Sequence, residues 1–123
     1  MYEVSKDVWL CAAHQVRFPG GEAEPLHGHN WRVRVTVCAR KLDPSGYVID
    51  FDQLGRAMWA VVGRFDHANL NELAPFDELN PTAENLARHV YASLARALDD
   101  DRCQVHEVEV FETDANRAVY RAE

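Results

Sequence analysis

Apolar and polar residues alternate with a period of two at both ends of the chain and follow a helical period in between. In the first segment the even positions Val4, Val8, Leu10, Ala12 and His14 share one side of an extended chain, which predicts a strand whose apolar face ends in a histidine. From His27 to Ala39 the odd positions read His27, His29, Trp31, Val33, Val35, Val37 and Ala39. Asn30, Arg32, Arg34 and Thr36 hold the even ones, so this is a half-buried strand with Cys38 on its polar side. Asp43-Pro44-Ser45-Gly46 predicts a turn, and Tyr47 to Phe51 a further extended run.

Leu54, Ala57, Met58, Val61, Val62 and Phe65 then recur at the spacing of one helix face, with Asp52 as the expected N-cap. A second helix follows Asn80-Pro81-Thr82, capped either by Asn80 with Pro81 in the first turn or by Thr82. Leu86, Val90, Leu94 and Leu98 form its buried side, and Asp99 to Arg102 ends it. Alternation returns from Val105 to Thr113, with Val108, Val110 and Glu112 on one face, and Ala118 to Ala122 can pair back across Asp114-Ala115-Asn116. The predicted fold class is α+β, in the order ββααββ, with two helices on one face of a mainly antiparallel sheet.

A length of 123 residues and 47% hydrophobic content suit one domain, 1–123, with a modest core. The formal net charge of -7, with both signs interspersed, argues against a general binder of nucleic acid or acidic membrane. No apolar run reaches membrane-spanning length, and MYEVSKDVWL lacks the pattern of a signal peptide, so a cytoplasmic protein is expected. Cys11, Cys38 and Cys103 are odd in number and widely spaced, which predicts buried, reduced thiols and no disulfide framework.

The candidate chemistry lies where the apolar faces end. Residues two apart in a strand project to one side, so His27 and His29 can present both imidazoles to one point, with His14 adding a third from the neighbouring strand. An HxH pair alone is as readily chance. Three histidines without cysteine match a catalytic zinc site, which keeps a position open for water or substrate. Asp66-His67, at the end of the first helix, reads as a proton-transfer pair or as a helix-end charge pair. Glu112 ends an apolar strand face and reads either as a solvated strand end or as a carboxylate for a ligand with a bidentate N–H edge, such as a pterin or guanine ring.

Ala12-Ala13-His14, Leu26-His27-Gly28-His29-Asn30, Val48-Ile49-Asp50-Phe51, Phe65-Asp66-His67 with Leu70-Asn71, Asn80-Pro81-Thr82-Ala83-Glu84-Asn85-Leu86 and Phe111-Glu112-Thr113 span nearly the whole chain. In this series the chain resembles the 6-pyruvoyltetrahydropterin synthase and 6-carboxytetrahydropterin synthase family. The resemblance implies a tunnelling fold (T-fold), assembled as a homo-hexamer of two trimers with active sites between subunits. It implies Zn2+ on His14, His27 and His29, a pterin anchored by Glu112, catalytic roles for Asp66 and His67, and 7,8-dihydroneopterin triphosphate as the usual substrate.

One departure bears on the product. Relatives that make 6-pyruvoyl- or 6-carboxytetrahydropterin carry a catalytic cysteine shortly before HGH, and its place is Ala23 here. Glu24 gives ExxHGH instead, similar to the branch in which glutamate replaces the cysteine and 6-hydroxymethyl-7,8-dihydropterin is formed for folate synthesis. Glu24 is then the candidate base for a retro-aldol cleavage, with Glu22 as an alternative should the loop shift and a solvated loop carboxylate as the other reading. A carboxylate is a weaker base than a thiolate near zinc and histidine, so the role requires burial. Two further functions stay open: a 6-carboxy- or 6-pyruvoyltetrahydropterin synthase that manages without the cysteine, and a non-catalytic zinc- and pterin-binding oligomer. Arg17, Arg32, Arg34, Arg40 and Lys41 are the nearby basic residues, and the even-numbered arginines read equally as a solvated sheet face.

Overall fold

β1 (Tyr2–His14) and β2 (His27–Ala39) pair antiparallel along their whole lengths, from Tyr2 opposite Ala39 to His14 opposite His27. The inward residues are those that the alternation marks: Val8, Leu10 and Ala12 on β1, and Trp31, Val33, Val35 and Val37 on β2, all buried. β-Branched and aromatic side chains suit such a pleated, half-covered surface. After α1 (Phe51–Val62) comes β3 (Ala68–Asn69), which runs parallel to Ala12 and Ala13 at the outer edge of β1. α2 (Ala83–Leu98), β4 (Cys103–Thr113) and β5 (Asn116–Arg121) complete the chain. The computed structural model describes residues 1–123, and its five-stranded mixed sheet has the order β3-β1-β2-β4-β5.

Both helices cover the inward face. α1 buries Leu54, Met58 and Val62, and α2 buries Leu86, Val90 and Leu94. Together with the strand residues, Phe65, Leu70 and Phe76, they belong to one cluster of 25 buried hydrophobic residues. Each large side chain taken out of water stabilises by about 1.5–3 kcal/mol, so the sheet and helices form a fixed platform. At the end of the sheet where β1 stops and β2 starts, the apolar stripes give way to histidine and glutamate.

A bulge brings the last of these groups to the correct face. Thr36 pairs with Glu107 and Val37 with Val105, which leaves His106 as an extra residue in β4. Cys103 and Val105 are buried before it, and Val108 and Val110 after it. One inserted residue exchanges the two faces of a strand, and without it Glu112 would point away from the histidines.

Several local readings are corrected. Tyr47 to Phe51 is not a strand, because Asp43 Oδ1 accepts the Ser45 and Tyr47 N–H groups, each at 2.9 Å, and folds the segment into a turn. The α1 cap is Asp50, not Asp52: Asp50 Oδ1 accepts the Asp52 N–H at 2.7 Å, and Asp52 lies in the first turn. α2 is capped by Thr82, whose hydroxyl accepts the Asn85 N–H at 3.1 Å. The order becomes ββαβαββ through β3, β4 begins at Cys103 and β5 at Asn116. Of the thiols only Cys38 and Cys103 are buried, and burial pushes both up, whereas Cys11 is exposed. Cys38 and Thr36 are buried although the alternation assigns them to the polar side, and Thr36 there shares a 2.9 Å hydroxyl hydrogen bond with Ser5.

Candidate active site

His14 ends β1 opposite His27, which starts β2, and His29 lies opposite Ala12. Their three rings meet edge to face, with centroids 4.7 Å apart for His14 and His27, 5.2 Å for His14 and His29, and 4.7 Å for His27 and His29. Trp31 forms the floor: it is fully buried, its ring lies 4.8 Å from His14 and 5.3 Å from His29, and its indole N–H donates to the Ala12 carbonyl at 3.1 Å.

Two backbone carbonyls set the ring tautomers. His14 Nδ1 donates to the Pro81 carbonyl and His27 Nδ1 to the Pro25 carbonyl, both at 2.8 Å. In the neutral rings this leaves both Nε2 atoms as lone-pair bearers, and they face one another at 3.1 Å. Two lone pairs at that distance with no proton between them are relieved by a cation. His29 Nε2 is buried without an aligned hydrogen-bond partner, although Glu112 Oε1 lies 2.9 Å away. Burial is the main cause that pushes the His29 pKa down; Glu112 raises it, and His14 and His27 lower it further. Ligand atoms of His14, His27, His29 and Glu112 all fall within 4.8 Å of one another, so these residues fit a metal ion with nitrogen-rich coordination.

Glu24 reaches the same point from the loop between β1 and β2. Its Oε1 lies 3.8 Å from His27 Nε2 and 4.0 Å from His14 Nε2, and it accepts the Val16 N–H at 3.0 Å. The loop turns at Gly21, whose φ of 87° favours glycine, and Arg17 bridges to Ala23 across it. Glu22 is exposed, and its carbonyl accepts the Phe18 N–H at 2.7 Å. The carboxylate beside the histidines is therefore Glu24, and Glu22 is not brought to them.

Asp66 and His67 stand apart from this corner. Asp66 Oδ1 accepts the Cys11 N–H at 2.9 Å, the His67 N–H donates to the Cys11 carbonyl at 2.6 Å, and Asp66 Oδ2 lies 3.7 Å from His67 Nε2. The His67 side chain is 80% exposed, and its φ is 56°. No hydrogen bond or ion pair joins either residue to His14, Glu24, His27, His29 or Glu112. Glu112 also borders a cavity of about 140 Å³, where Glu84, Asn116 and Arg117 join it. Arg32 and Arg34 are elsewhere: they pair with Asp7 and stack on Phe111, at 4.0 and 5.4 Å from its centroid, on the outward face of the sheet.

Sequence reasoning gave Asn80 and Pro81 only a helix-capping alternative and Trp31 only a place on the buried strand face, and it assigned none of these residues, nor Asn71, a part in the site. The available signals were their place in the chain, with Trp31 continuing the HxH parity and Asn80-Pro81 preceding a helix, and the presence of Asn71, Asn80 and Pro81 in the motifs that carry the family resemblance.

Residues 3–123 match the family model described as 6-pyruvoyl tetrahydropterin synthase. A 6-carboxy-5,6,7,8-tetrahydropterin synthase from Bacillus subtilis is 33% identical over 98% of this chain and 85% of its own length. A dihydroneopterin monophosphate aldolase from Pyrococcus furiosus is 37% identical over 73% of this chain and 72% of its own. The structure of the Caenorhabditis elegans 6-pyruvoyl tetrahydropterin synthase superposes with a TM-score of 0.84, at 22% identity, over 99% of this chain and 96% of that one, which identifies the T-fold. The chain belongs to the 6-pyruvoyl tetrahydropterin synthase family, whose members are pterin-processing enzymes.

Proposed function

We propose that this protein is a zinc-dependent lyase of the cytoplasm that cleaves 7,8-dihydroneopterin triphosphate to 6-hydroxymethyl-7,8-dihydropterin. The observation that carries the reading is Glu24 Oε1, within 4.0 Å of two histidine Nε2 atoms at a corner that holds no thiol. His14, His27 and His29 would hold the zinc. Bound there, zinc supplies Lewis acidity that lowers the pKa of hydroxyl groups it touches.

The protein's own groups divide the rest of the work. Glu112 accepts the N–H edge of the pterin ring through its two carboxylate oxygens. Glu24 removes the proton of the second side-chain hydroxyl; the oxygen's electrons form a C=O as the adjacent carbon–carbon bond breaks, and that pair passes into the ring C=N. The departing two-carbon fragment leaves as an aldehyde that keeps the triphosphate. Asp66 and His67 return a proton to the remaining carbon, which completes the hydroxymethyl group.

The last step needs a second chain, because Asp66 and His67 of one chain do not reach its own histidines. Two sheet edges support assembly: β3 covers β1 only at Ala12 and Ala13, and β5 is an uncovered edge strand. Tyr2, Trp9 and Val119 are exposed on these strands. We read the assembly as a homo-hexamer with sites shared between subunits.

A second reading, a 6-carboxytetrahydropterin synthase, is favoured by the name of the B. subtilis relative. It would have to proceed without a thiol at the histidine corner, since Cys11 faces the opposite side of β1 and Cys38 and Cys103 lie in other parts of the sheet. Mass spectrometry of the zinc-loaded protein with 7,8-dihydroneopterin triphosphate separates the two. The 6-hydroxymethyl pterin with an aldehyde triphosphate is the expected pair, and a 6-carboxy or 6-pyruvoyl pterin would overturn the proposal.

A further inference from the structure

The three residues that follow β1 join no strand of the sheet, Arg17 making only an isolated bridge to Ala23, yet each has both backbone groups bonded. The Gln15 N–H donates to Asn71 Oδ1 and the Gln15 carbonyl accepts Asn71 Nδ2, both at 2.8 Å. The Val16 N–H donates to Glu24 Oε1 at 3.0 Å and its carbonyl accepts the Glu24 N–H at 3.1 Å. The Arg17 N–H donates to Asn80 Oδ1 at 2.8 Å, and its carbonyl accepts Asn80 Nδ2 at 2.9 Å. A primary amide carries a donor and an acceptor side by side, so each asparagine reproduces one rung of a β-ladder with its side chain.

Glu24 thus grips the central residue of a segment that is held on both sides. Each clamp is itself anchored. The Asn71 N–H donates to Asn69 Oδ1 at 3.0 Å beside β3, and the Asn80 carbonyl accepts Asn85 Nδ2 at 3.0 Å in the first turn of α2. Asn80 also precedes Pro81, whose carbonyl orients His14. One short stretch before α2 therefore sets both a histidine of the corner and the loop that carries the carboxylate.

We propose that Asn71 and Asn80 are positioning residues: by fixing the backbone of Gln15 and Arg17 they hold the Val16 N–H where it locks the Glu24 carboxylate against His14 and His27. The inference rests on the reading of Glu24 as the base. Without the clamps, the loop keeps its own Arg17–Ala23 bridge and the Arg17 contact to the Phe76 carbonyl. It loses the ties from Gln15 and Arg17 to the segments after β3 and before α2, and the carboxylate loses its fixed distance to the histidines. A misplacement of about 1 Å lowers turnover by up to ~100-fold.

The test uses zinc-loaded, full-length protein with Asn71→Ala, Asn80→Ala, Asn71→Asp and Asn80→Asp, each alone and combined with Glu24→Gln. Three quantities are read: kcat on 7,8-dihydroneopterin triphosphate, zinc affinity by chelator competition, and hydrogen exchange at the Val16 amide. Each alanine variant should lower kcat by about 10- to 100-fold and speed Val16 exchange while zinc affinity stays unchanged. The aspartates retain the acceptor and should recover part of both effects. Combined with Glu24→Gln, the asparagine variants should add almost nothing, because the group they position is already inactive. Effects that multiply fully in the combined variants, or a kcat that stays at the wild-type level while Glu24→Gln lowers it, would overturn the positioning role. If Glu24→Gln itself leaves turnover intact, the base reading falls and takes the positioning role with it, and Val16 exchange in the same samples still reports whether the asparagines fix the loop.

Discussion

Two corners of the molecule carry side chains of similar chemistry in opposite states. At one, His14 is 1% exposed, its ring orientation is set by the Pro81 carbonyl, and two more histidines and two glutamates converge on it. At the other, His67 is 80% exposed in a left-handed backbone conformation, its N–H held by the Cys11 carbonyl and its ring 3.7 Å from Asp66 Oδ2. The first corner is complete as a ligand set within one chain. The second stands open to solvent, at a cost in backbone strain, and in the proposed assembly it faces another chain. In that proposed assembly, one subunit supplies metal ligands and base to its own site, and an Asp-His pair to a site that another chain completes.

The largest expected effect falls on the complete corner. His29→Ala removes one of the three proposed ligands, so zinc affinity measured by chelator competition should drop by at least about 100-fold, the upper range for loss of a mere outer partner. His67→Ala should leave zinc affinity unchanged and lower turnover by about 100-fold or more, the range of a lost proton-transfer group. Co-assembly of these two variants sharpens the contrast: if each site draws on two chains, activity returns to at most about a quarter of wild type in an equal mixture. Failure of mixed oligomers to regain any activity would place both corners in one chain's own site.

A smaller effect is expected on stability. His67→Gly removes the left-handed strain of a β-carbon and should raise the melting temperature by a few degrees, about 1 kcal/mol, while turnover is lost. The smallest effect concerns His89, which packs on Phe65 and Phe76, with centroids 6.0 and 5.6 Å away. Burial, followed by the nearby Arg64 and Arg96, pushes its pKa below the ordinary 6.5. The unfolded chain therefore takes up this proton first as pH falls. The contribution of neutral His89 to stability is whole above 6.5 and is lost progressively below it. Thermal melts from pH 7.5 to 5.5 should show a shallower decline for His89→Gln than for wild type.

Much of this was legible because one face of the sheet is buried. The parity of β1 and β2 is forced by the core, so His14, His27 and His29 could be placed on one side from sequence alone. The bulge at His106 was not read from the sequence, although the change of parity between Val105 and Val108 carried its signal. β3 is too short for any periodicity, and Asp50 and Asp52 are equally good caps until the turn made by Asp43 fixes the start of α1. Asn71 and Asn80 stand in the motifs of the resemblance, but their clamping left no pattern, because their partners are backbone groups 56 and 63 residues away. Adjacency of Asp66 and His67 announced a pair, but no pattern of the residues showed that the pair stands apart from its own histidines; only the resemblance, with its sites between subunits, bore on that.

The central claim is that Glu24 removes the proton that starts carbon–carbon cleavage. Glu24→Gln tests it most directly, because the amide oxygen can still accept the Val16 N–H and keep the loop in place. Wild type and Glu24→Gln, both loaded with zinc, are incubated with 7,8-dihydroneopterin triphosphate, and zinc content and pterin products are measured in the same samples. Equal zinc content with 6-hydroxymethyl-7,8-dihydropterin formed by wild type alone is the predicted result. The same product at an undiminished rate from Glu24→Gln would contradict the claim.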